Sequence, residues 1–235
     1  MYILALDTAT KTAGVAILKD GNPYGETILN TGVTHSQSLF PAMDSLLKKC
    51  NLSISQIDVI AYASGPGSFT GLRIGGAFVT GLAQALDIPV FKVPTLDALA
   101  LNGEGFTGDI APILDARKSE VYTATYRYLN GEIDKIQTEV ALSPEAFCAQ
   151  FATPSEVMVL GDAVRTYLPL MKEKGFFIPS PLLLLPRPLN IAYLAYKQLQ
   201  QGLQGASFRE VKVNYLRASE AEIKLLQRQD AENAK

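Results

Sequence analysis

The sequence predicts a two-lobed α/β protein in which each lobe has a mixed β-sheet with flanking helices. Strand-like apolar segments alternate with amphipathic helices on both sides of a glycine-rich segment at 102–109. An apolar strand that ends in aspartate, a polar turn and a return strand occur twice, at Asp7 and at Asp115. The composition, 48% apolar and 19% charged over 235 residues, is typical of an ordered globular chain. We therefore divide the chain into a first lobe, 1–104, and a second lobe, 105–235, which includes a charged tail.

The first lobe opens with three predicted strands at 2–7, 14–19 and 24–30, and Asp20-Gly21-Asn22 has the residues of a hairpin turn. Apolar residues at helical spacing between Leu39 and Cys50 predict an amphipathic helix, with Thr34 or Ser36 as its cap. The remaining predicted elements are a strand at 57–64, a glycine-rich loop at 65–70, a helix at 72–86, a strand at 89–93 and a short helix at 95–101.

The second lobe repeats this alternation of strands and helices. Its predicted elements are strands at 110–114, 120–129, 131–140 and 157–160, helices at 144–151 and 190–201, and an irregular proline-rich segment at 176–189. The tail from Ser219 is rich in Glu, Lys, Gln and Ala, so we expect it to be helical or frayed.

Charge and rare residues exclude several functions. The 21 Lys and Arg against 23 Asp and Glu provide no excess of positive charge with which to bind nucleic acid unaided. Cys50 and Cys148 lie far apart in no metal or redox spacing, which predicts reduced thiols in the cytoplasm. No apolar stretch is long enough for a membrane span, and the start is not typical of a signal peptide. His35 is the single histidine, which excludes any mechanism that needs two.

The repeated aspartate indicates a candidate phosphate site. A carboxylate at a strand end can hold the water shell of a magnesium ion while the N–H groups of the turn contact phosphate oxygens. Asp7, Thr8 and Asp115 are therefore candidate cofactor-binding residues. Asp is also a favoured turn residue in hairpins of any function, so an ordinary turn remains the alternative.

Four segments resemble one known family. They are ALDTATKT at 5–12, GPGSFTGLRIG at 65–75, LDARKSEVY at 114–122 and YLRASEAE at 215–222, and they resemble the TsaB family, also called YeaZ. The resemblance implies the fold of actin, sugar kinases and heat-shock ATPases. It also implies a role in the synthesis of threonylcarbamoyladenosine in tRNAs that read codons starting with A. The implied partners are the catalytic paralogue TsaD, the ATPase TsaE and a second copy of the chain, with tRNA contacted only through the complex.

The nucleotide site that this fold implies is degraded in the sequence. The turn after Asp7 lacks the glycine that usually admits a phosphate, the turn after Asp115 has none, and the loop at 160–163 has one glycine. The resemblance places the paired metal histidines of TsaD near Thr95 and Leu99, neither of which can replace an imidazole ligand. We therefore expect no cofactor and no metal, and a non-catalytic scaffold subunit. The rival is a small ATP-dependent phosphotransferase that uses Asp7 and Asp115.

Small residues in the predicted helix at 72–86, and in the segment 65–71 before it, indicate that this helix packs closely against another element. The segment 65–71 has neither Rossmann nor P-loop spacing. Helix glycines are costly, which suggests that another backbone comes close, either this lobe's own or that of a partner. The resemblance favours a partner interface, which we assign to Leu39, Met43, Leu46, Gly71, Gly75 and Gly81. Arg73, in the first turn of this helix, is expected to be solvated or paired with a carboxylate.

Overall fold

The computed structural model describes residues 1–216, which form a five-stranded and a four-stranded sheet. The first sheet contains β1 (Tyr2–Asp7), β2 (Ala13–Lys19), β3 (Asn22–Leu29), β4 (Val59–Ala63) and β5 (Val90–Val93). The second contains β6 (Asp109–Arg117), β7 (Glu120–Leu129), β8 (Glu132–Leu142) and β9 (Val157–Leu160). The predicted structure of the tail from Ser219 lies outside the described residues.

Helices flank both sheets. They are α1 (His35–Lys49), α2 (Phe69–Leu86), α3 (Thr95–Ala100), α4 (Pro144–Cys148), α5 (Ala163–Thr166), α6 (Leu168–Glu173) and α7 (Pro188–Gln200). Short 3-10 turns occupy Ile54–Gln56, Leu101–Gly103, Pro154–Glu156, Pro181–Leu183 and Phe208–Glu210. The sequence predicted neither α5 nor α6, both of which are too short to show helical periodicity. No helix within residues 1–216 is long and apolar enough to cross a membrane.

The second sheet repeats the topology of four strands of the first, β3-β2-β1-β4. The strand orders of the two sheets are β3-β2-β1-β4-β5 and β8-β7-β6-β9. In each sheet the strand that contains the repeated aspartate pairs antiparallel with the next strand in the chain, and it pairs parallel with a strand that follows a crossover. The duplicated mixed sheet that the sequence predicts is therefore confirmed.

The first sheet is buried on both faces. Leu4 and Leu6 of β1 pack with α1 and α2, whereas Ile3 and Ala5 point to the opposite face and pack with α7. Successive side chains of a strand alternate between faces, so a strand covered on both sides reads as a continuous apolar run. This is why 2–6 could be recognised as a buried strand from the sequence.

The chain returns to the first lobe after the second sheet is complete. Ile191 and Ala195 of α7 are fully buried against the first sheet, and Arg187 forms an ion pair with Glu26 of β3. Further on, the N–H of Val90 in β5 donates to the carbonyl of Ala206 at 2.9 Å. The division at residue 104 therefore needs correction, because α7 and the segment after it lie on the first sheet, whose second apolar face they cover.

The second core continues across the predicted boundary. Leu96 and Leu99 of α3 are fully buried among the residues of the second sheet, although α3 precedes the glycine-rich segment. Phe147 of α4 stacks on Phe176 with ring centroids 5.5 Å apart. The lobes are thus joined by apolar packing, not only by the connecting chain.

Candidate functional site

A cleft of about 390 Å³ lies between the two lobes. Turns at the strand ends line it, as do the start of α2 and the last described residues of the chain. Its lining includes the turn at 9–11, the loop at 67–70, the turn at 114–118, His35, Asp162 and the segment 214–216. The turn that follows Asp7 and the turn that contains Asp115 thus line the same cleft, whereas Asp7 itself is buried.

Three hydrogen-bond donors of the turn after β1 are bonded to acceptors within the first lobe. Asp7 is buried, and its Oδ1 accepts the N–H of Ala9 at 2.8 Å. The N–H of Thr12 donates to Oγ1 of Thr10 at 3.1 Å. The Thr8 hydroxyl donates to the carbonyl of Gly71 at 2.8 Å, which attaches the turn to α2. Each of these three donors therefore already has a hydrogen-bond partner within the first lobe.

Asp115 and Asp162 of the second lobe line the cleft, and the buried Asp7 of the first lobe is near enough to Asp162 for their charges to interact. Burial raises the pKa of Asp7 to about 6, against the opposing effect of the Ala9 N–H, and the nearby charge of Asp162 raises it further. Burial also raises the pKa of Asp162, while Lys11 acts in the opposite direction. Asp7 is therefore a carboxyl group whose charged form is disfavoured in the folded protein.

The turn between β6 and β7 has an unusual backbone. Arg117, Lys118 and Ser119 have φ angles of 63°, 51° and 57°, in the left-handed region that non-glycine residues seldom adopt. Oδ1 of Asp115 accepts the N–H of Arg117 at 2.8 Å, and Oδ1 of Asp162 accepts the N–H of Asp115 at 3.1 Å. The Arg117 guanidinium lies 3.4 Å from Oδ2 of Asp115. In this turn, as in the first, a backbone N–H donates to the carboxylate of the turn's own aspartate.

Hydrogen bonds within the two turns occupy some of the backbone donors that a phosphate would need. A phosphate needs backbone N–H groups that point at it, and those of Ala9, Thr12 and Arg117 are bonded within their turns. The one glycine of the loop at 160–163 serves packing, because a Cβ on Gly161 would lie 2.3 Å from the carbonyl oxygen of Ile113. Within residues 1–216, no three His, Cys, Asp or Glu side chains are grouped so as to hold a metal ion.

Two glycines of α2 contact the turn after β1. A Cβ on Gly71 would lie 2.0 Å from the carbonyl oxygen of Thr8, and one on Gly75 would lie 2.3 Å from Thr8 Oγ1. Gly71 and Gly75 therefore admit the backbone of their own lobe, which corrects their assignment to a partner interface. Gly81 is exposed, and a Cβ there would have no atom of residues 1–216 within 4 Å.

The apolar residues of α1 also need correction. Leu39, Met43 and Leu46 are 1%, 3% and 5% exposed, because they form the core between α1 and the first sheet. On the outer surface, Phe40 of α1 is 57% exposed and its ring lies 6.5 Å, edge to face, from that of Phe78 in α2. Sequence analysis missed this pair. Its signal was an apolar residue one position outside the i, i+4, i+7 stripe of the helix.

The side chains of His35 and Arg73 connect α1 and α2 to residues around the cleft. His35, at the start of α1, donates from Nε2 to the carbonyl of Thr10 at 2.8 Å, and its buried Nδ1 has no hydrogen-bond partner among residues 1–216. Arg73 lies over the ring of Phe69, 4.0 Å from its centroid, and its Nε donates to the hydroxyl of Tyr215 at 3.2 Å. Arg73 is thus exposed with aromatic partners, and among residues 1–216 it forms no ion pair with a carboxylate.

The positions compared with the metal histidines of TsaD face inward. Oγ1 of Thr95 accepts the N–H of Gly65 at 3.2 Å, and Leu99 is fully buried in the second core. Both residues are therefore used for packing and for holding the loop that leads to α2.

Two duplicated mixed sheets around a cleft define the fold class of actin-like ATPases and sugar kinases. Component A of (R)-2-hydroxyglutaryl-CoA dehydratase from Acidaminococcus fermentans shows this fold at 12% identity, with a TM-score of 0.51 over 85% of this chain and 99% of that one. YeaZ from Pseudomonas aeruginosa is more similar, at 31% identity and a TM-score of 0.79 over 92% of this chain and 99% of its own.

Sequence comparison then identifies the family. Residues 30–225 match the family model "TsaD: tRNA N6-adenosine threonylcarbamoyltransferase". The tRNA threonylcarbamoyladenosine biosynthesis protein TsaB of Bacillus subtilis is 34% identical over 97% of this chain and 100% of its own length. The Escherichia coli protein of the same name is 34% identical over 86% of this chain and 89% of its own length. The chain therefore belongs to the TsaB family, within the group that the TsaD model describes.

Proposed function

We propose that the protein acts in threonylcarbamoyladenosine formation in tRNA as a non-catalytic scaffold subunit. It binds a TsaD-like catalytic subunit and holds it in its working geometry together with a TsaE-like ATPase. Membership of the TsaB family supports the role in this pathway, since full-length relatives are named for it. The site of action is the cytoplasm, where the free thiols of Cys50 and Cys148 stay reduced.

The observation that carries the non-catalytic role is the state of the two repeated turns. The N–H groups of Ala9 and Arg117 each donate to the aspartate of their own turn at 2.8 Å. Binding a phosphate there would require these bonds to break, and the carboxylates of Asp7 and Asp115 would then face the phosphate charge. Asp7, Thr8 and Asp115 are on this view remnants of a nucleotide site that now stabilise the turns.

The outer face of α1 and α2 is the surface we propose for the catalytic subunit. It consists of Phe40, Phe78 and Gly81, with an exposed aromatic anchor beside a position that has no side chain. Aromatic anchors of this kind contribute most of the binding energy in protein interfaces, and a glycine lets a partner helix approach closely. A homodimer would use the same face, so a second copy and the catalytic subunit compete for it. The net charge of −2 is consistent with tRNA contact only through the complex.

The experiment is a titration of Phe40→Asp and Phe78→Asp variants against the TsaD-like subunit, followed by light scattering. For Phe40→Asp we expect at least about tenfold weaker association at an unchanged melting temperature, because the charge would be buried in the interface and not in the monomer. Phe78→Asp should weaken association as well but also lower the melting temperature, since Phe78 is half-buried against the first core. Phe177→Asp is the matched control, since Phe177 is 45% exposed and lies in the second lobe. Normal association of both helix variants would reject this surface.

The rival phosphotransferase has one observation in its favour. Asp115 and Asp162 line the cleft between the lobes, and the buried Asp7 lies close to Asp162, in the region where a kinase of this fold would hold its nucleotide. Calorimetric titration with ATP and magnesium separates the two functions. Saturable stoichiometric binding would favour the phosphotransferase, and its absence the scaffold.

A further inference from the structure

The turn after β1 holds the start of α2 by two hydrogen bonds. The Thr8 hydroxyl donates to the carbonyl of Gly71 at 2.8 Å. The carbonyl of Ala9 accepts the N–H of Ser68, the N-cap residue of α2, at 2.6 Å. A Cβ on Gly71 would overlap the carbonyl oxygen of Thr8, so the helix can come this close because residue 71 is a glycine. The first turn of α2 is therefore attached to residues 8 and 9.

The next residue of the same turn holds the start of α1. The carbonyl of Thr10 accepts the Nε2–H of His35, the first residue of α1, at 2.8 Å. Residues 31–34, which precede the helix, are exposed, and within residues 1–216 the N-cap residue Thr34 makes no side-chain capping bond. A helix start without a side-chain cap leaves N–H groups unpaired and frays more easily. The imidazole of His35 therefore supplies the attachment that the N-cap lacks.

The ring of His35 also packs against α2. A Cβ on Gly71 would lie 3.3 Å from Cδ2 of the ring. The buried Nδ1 has no hydrogen-bond partner among residues 1–216, so within this part of the chain the bond to Thr10 is the ring's single hydrogen bond. Because a carbonyl can only accept, the proton of the neutral ring lies on Nε2. The bond to Thr10 thus fixes both the tautomer and the orientation of the ring.

From these contacts we propose that Thr8–Thr10 and His35 form a helix bracket that sets the position of α1 relative to α2, with His35 as its positioning residue. Phe40 follows His35 by five residues, about 7.5 Å along the helix. The Phe40 ring lies 6.5 Å from the ring of Phe78 in α2. Loss of the bond at His35 therefore changes how Phe40 is held beside Phe78. The inference rests on the proposed function, in which these two rings belong to the surface for the catalytic subunit.

Amide hydrogen exchange of the full-length chain, resolved by residue with NMR, tests the attachment of α1. His35→Leu keeps a bulky side chain and removes the donor to Thr10. We expect the amides of residues 38–40 to exchange at least about fivefold faster than in the wild type, because the helix start opens more often, and those of residues 46–49 to stay within about twofold. His35→Gln restores a donor of similar reach and should return the rates at 38–40 to within about twofold of the wild type.

Association with the TsaD-like subunit tests the consequence for the partner surface. His35→Leu should weaken association at least about fivefold, and His35→Gln should restore it, because the rings of Phe40 and Phe78 act only when they are held together. Tyr126→Phe is the matched control, since it removes one side-chain hydrogen bond, to Asp97 at 2.7 Å, in the second lobe. It should leave both the exchange at 38–40 and the association unchanged.

The outcomes separate this inference from the proposed function. If Phe40→Asp weakens association and His35→Leu does not, the helix bracket is overturned and the partner surface stands. If His35→Leu speeds exchange at 38–40 while neither variant affects association, the partner surface is rejected and the bracket stands. Unchanged exchange in His35→Leu would overturn the bracket whatever the association.

Two further measurements keep the test decisive. Because His35 is the single histidine, its ring nitrogen NMR signals are assigned without ambiguity. A neutral ring with its proton on Nδ1 instead of Nε2 would overturn the bracket. If His35→Leu does not fold, His35→Asn replaces it, because the asparagine amide is one methylene group shorter than that of glutamine and should not rescue the exchange rates at 38–40.

Discussion

The carboxylates of Asp7 and Asp115 make the same hydrogen bond in the two lobes. Each accepts, through Oδ1 and at 2.8 Å, the N–H of the residue two positions later. This is the local bond by which aspartate stabilises a turn. The duplication therefore extends from the order of the strands to a single pair of atoms, while the burial differs: Asp7 is 2% exposed and Asp115 is half-buried.

The first prediction concerns stability and pH. The pKa of Asp7 is raised from 3.8 to about 6 in the folded protein, so the folded state holds a proton that the unfolded state has released between these values. Stability should fall as pH rises from about 4 to 6 and stay lower above that, by about 3 kcal/mol from this group. Asp7→Asn keeps an acceptor for Ala9 and removes the charge. We expect a higher melting temperature than the wild type at pH 7.5 and the same one near pH 4.

Asp115→Asn is the control for this comparison because Asp115 occupies the equivalent position and is less buried. An Asp7→Asn variant with an equal gain in melting temperature at both pH values would contradict the assignment of the pH effect to Asp7.

The second prediction separates the glycines of α2. Gly71→Ala should lower the free energy of unfolding by about 3 kcal/mol, because the added methyl group would overlap the carbonyl oxygen of Thr8. Gly81→Ala should raise it by up to about 1 kcal/mol, because Gly81 has open space around it and alanine favours a helix. Urea denaturation measures both. Equal effects of the two substitutions would show that α2 does not pack against the turn after β1.

The third prediction concerns the stack of Arg73 on Phe69. Arg73→Ala removes the cation–π contact and the hydrogen bond to Tyr215, and we expect a loss of about 1 kcal/mol, since the group is exposed. Tyr215→Phe retains the ring and should cost less. Both variants should support tRNA modification once assembled with the catalytic subunit. A fully assembled Arg73→Ala complex that does not modify tRNA would place Arg73 in the chemistry.

The fourth prediction concerns ATP. The isolated protein should release no phosphate from ATP above a buffer control, because the turn donors that would hold a phosphate are bonded to Asp7 and Asp115. A phosphate-release assay with purified protein measures this. Turnover that disappears in Asp7→Asn but persists in Phe40→Asp would establish the phosphotransferase and reject the scaffold.

Local patterns in the sequence were sufficient for the two sheets and the repeated turn. Strand alternation, hairpin residues and an aspartate between an apolar strand and a polar turn are features of neighbouring residues. They identify Asp7 and Asp115 as equivalent positions. The resemblance to the TsaB family also depends on short segments of sequence, and comparison with known proteins confirmed the family.

The tertiary structure alone decided which side of each helix is buried. Helical spacing puts Gly71 and Gly75 on one face of α2 and turns Gly81 away from it, but spacing does not say which face meets the sheet. The same holds for α1, where Leu39 is buried and Phe40 is exposed. The return of α7 to the first sheet and the partner of Arg73 depend on residues more than 100 positions apart in the chain, a separation over which local sequence patterns contain no information.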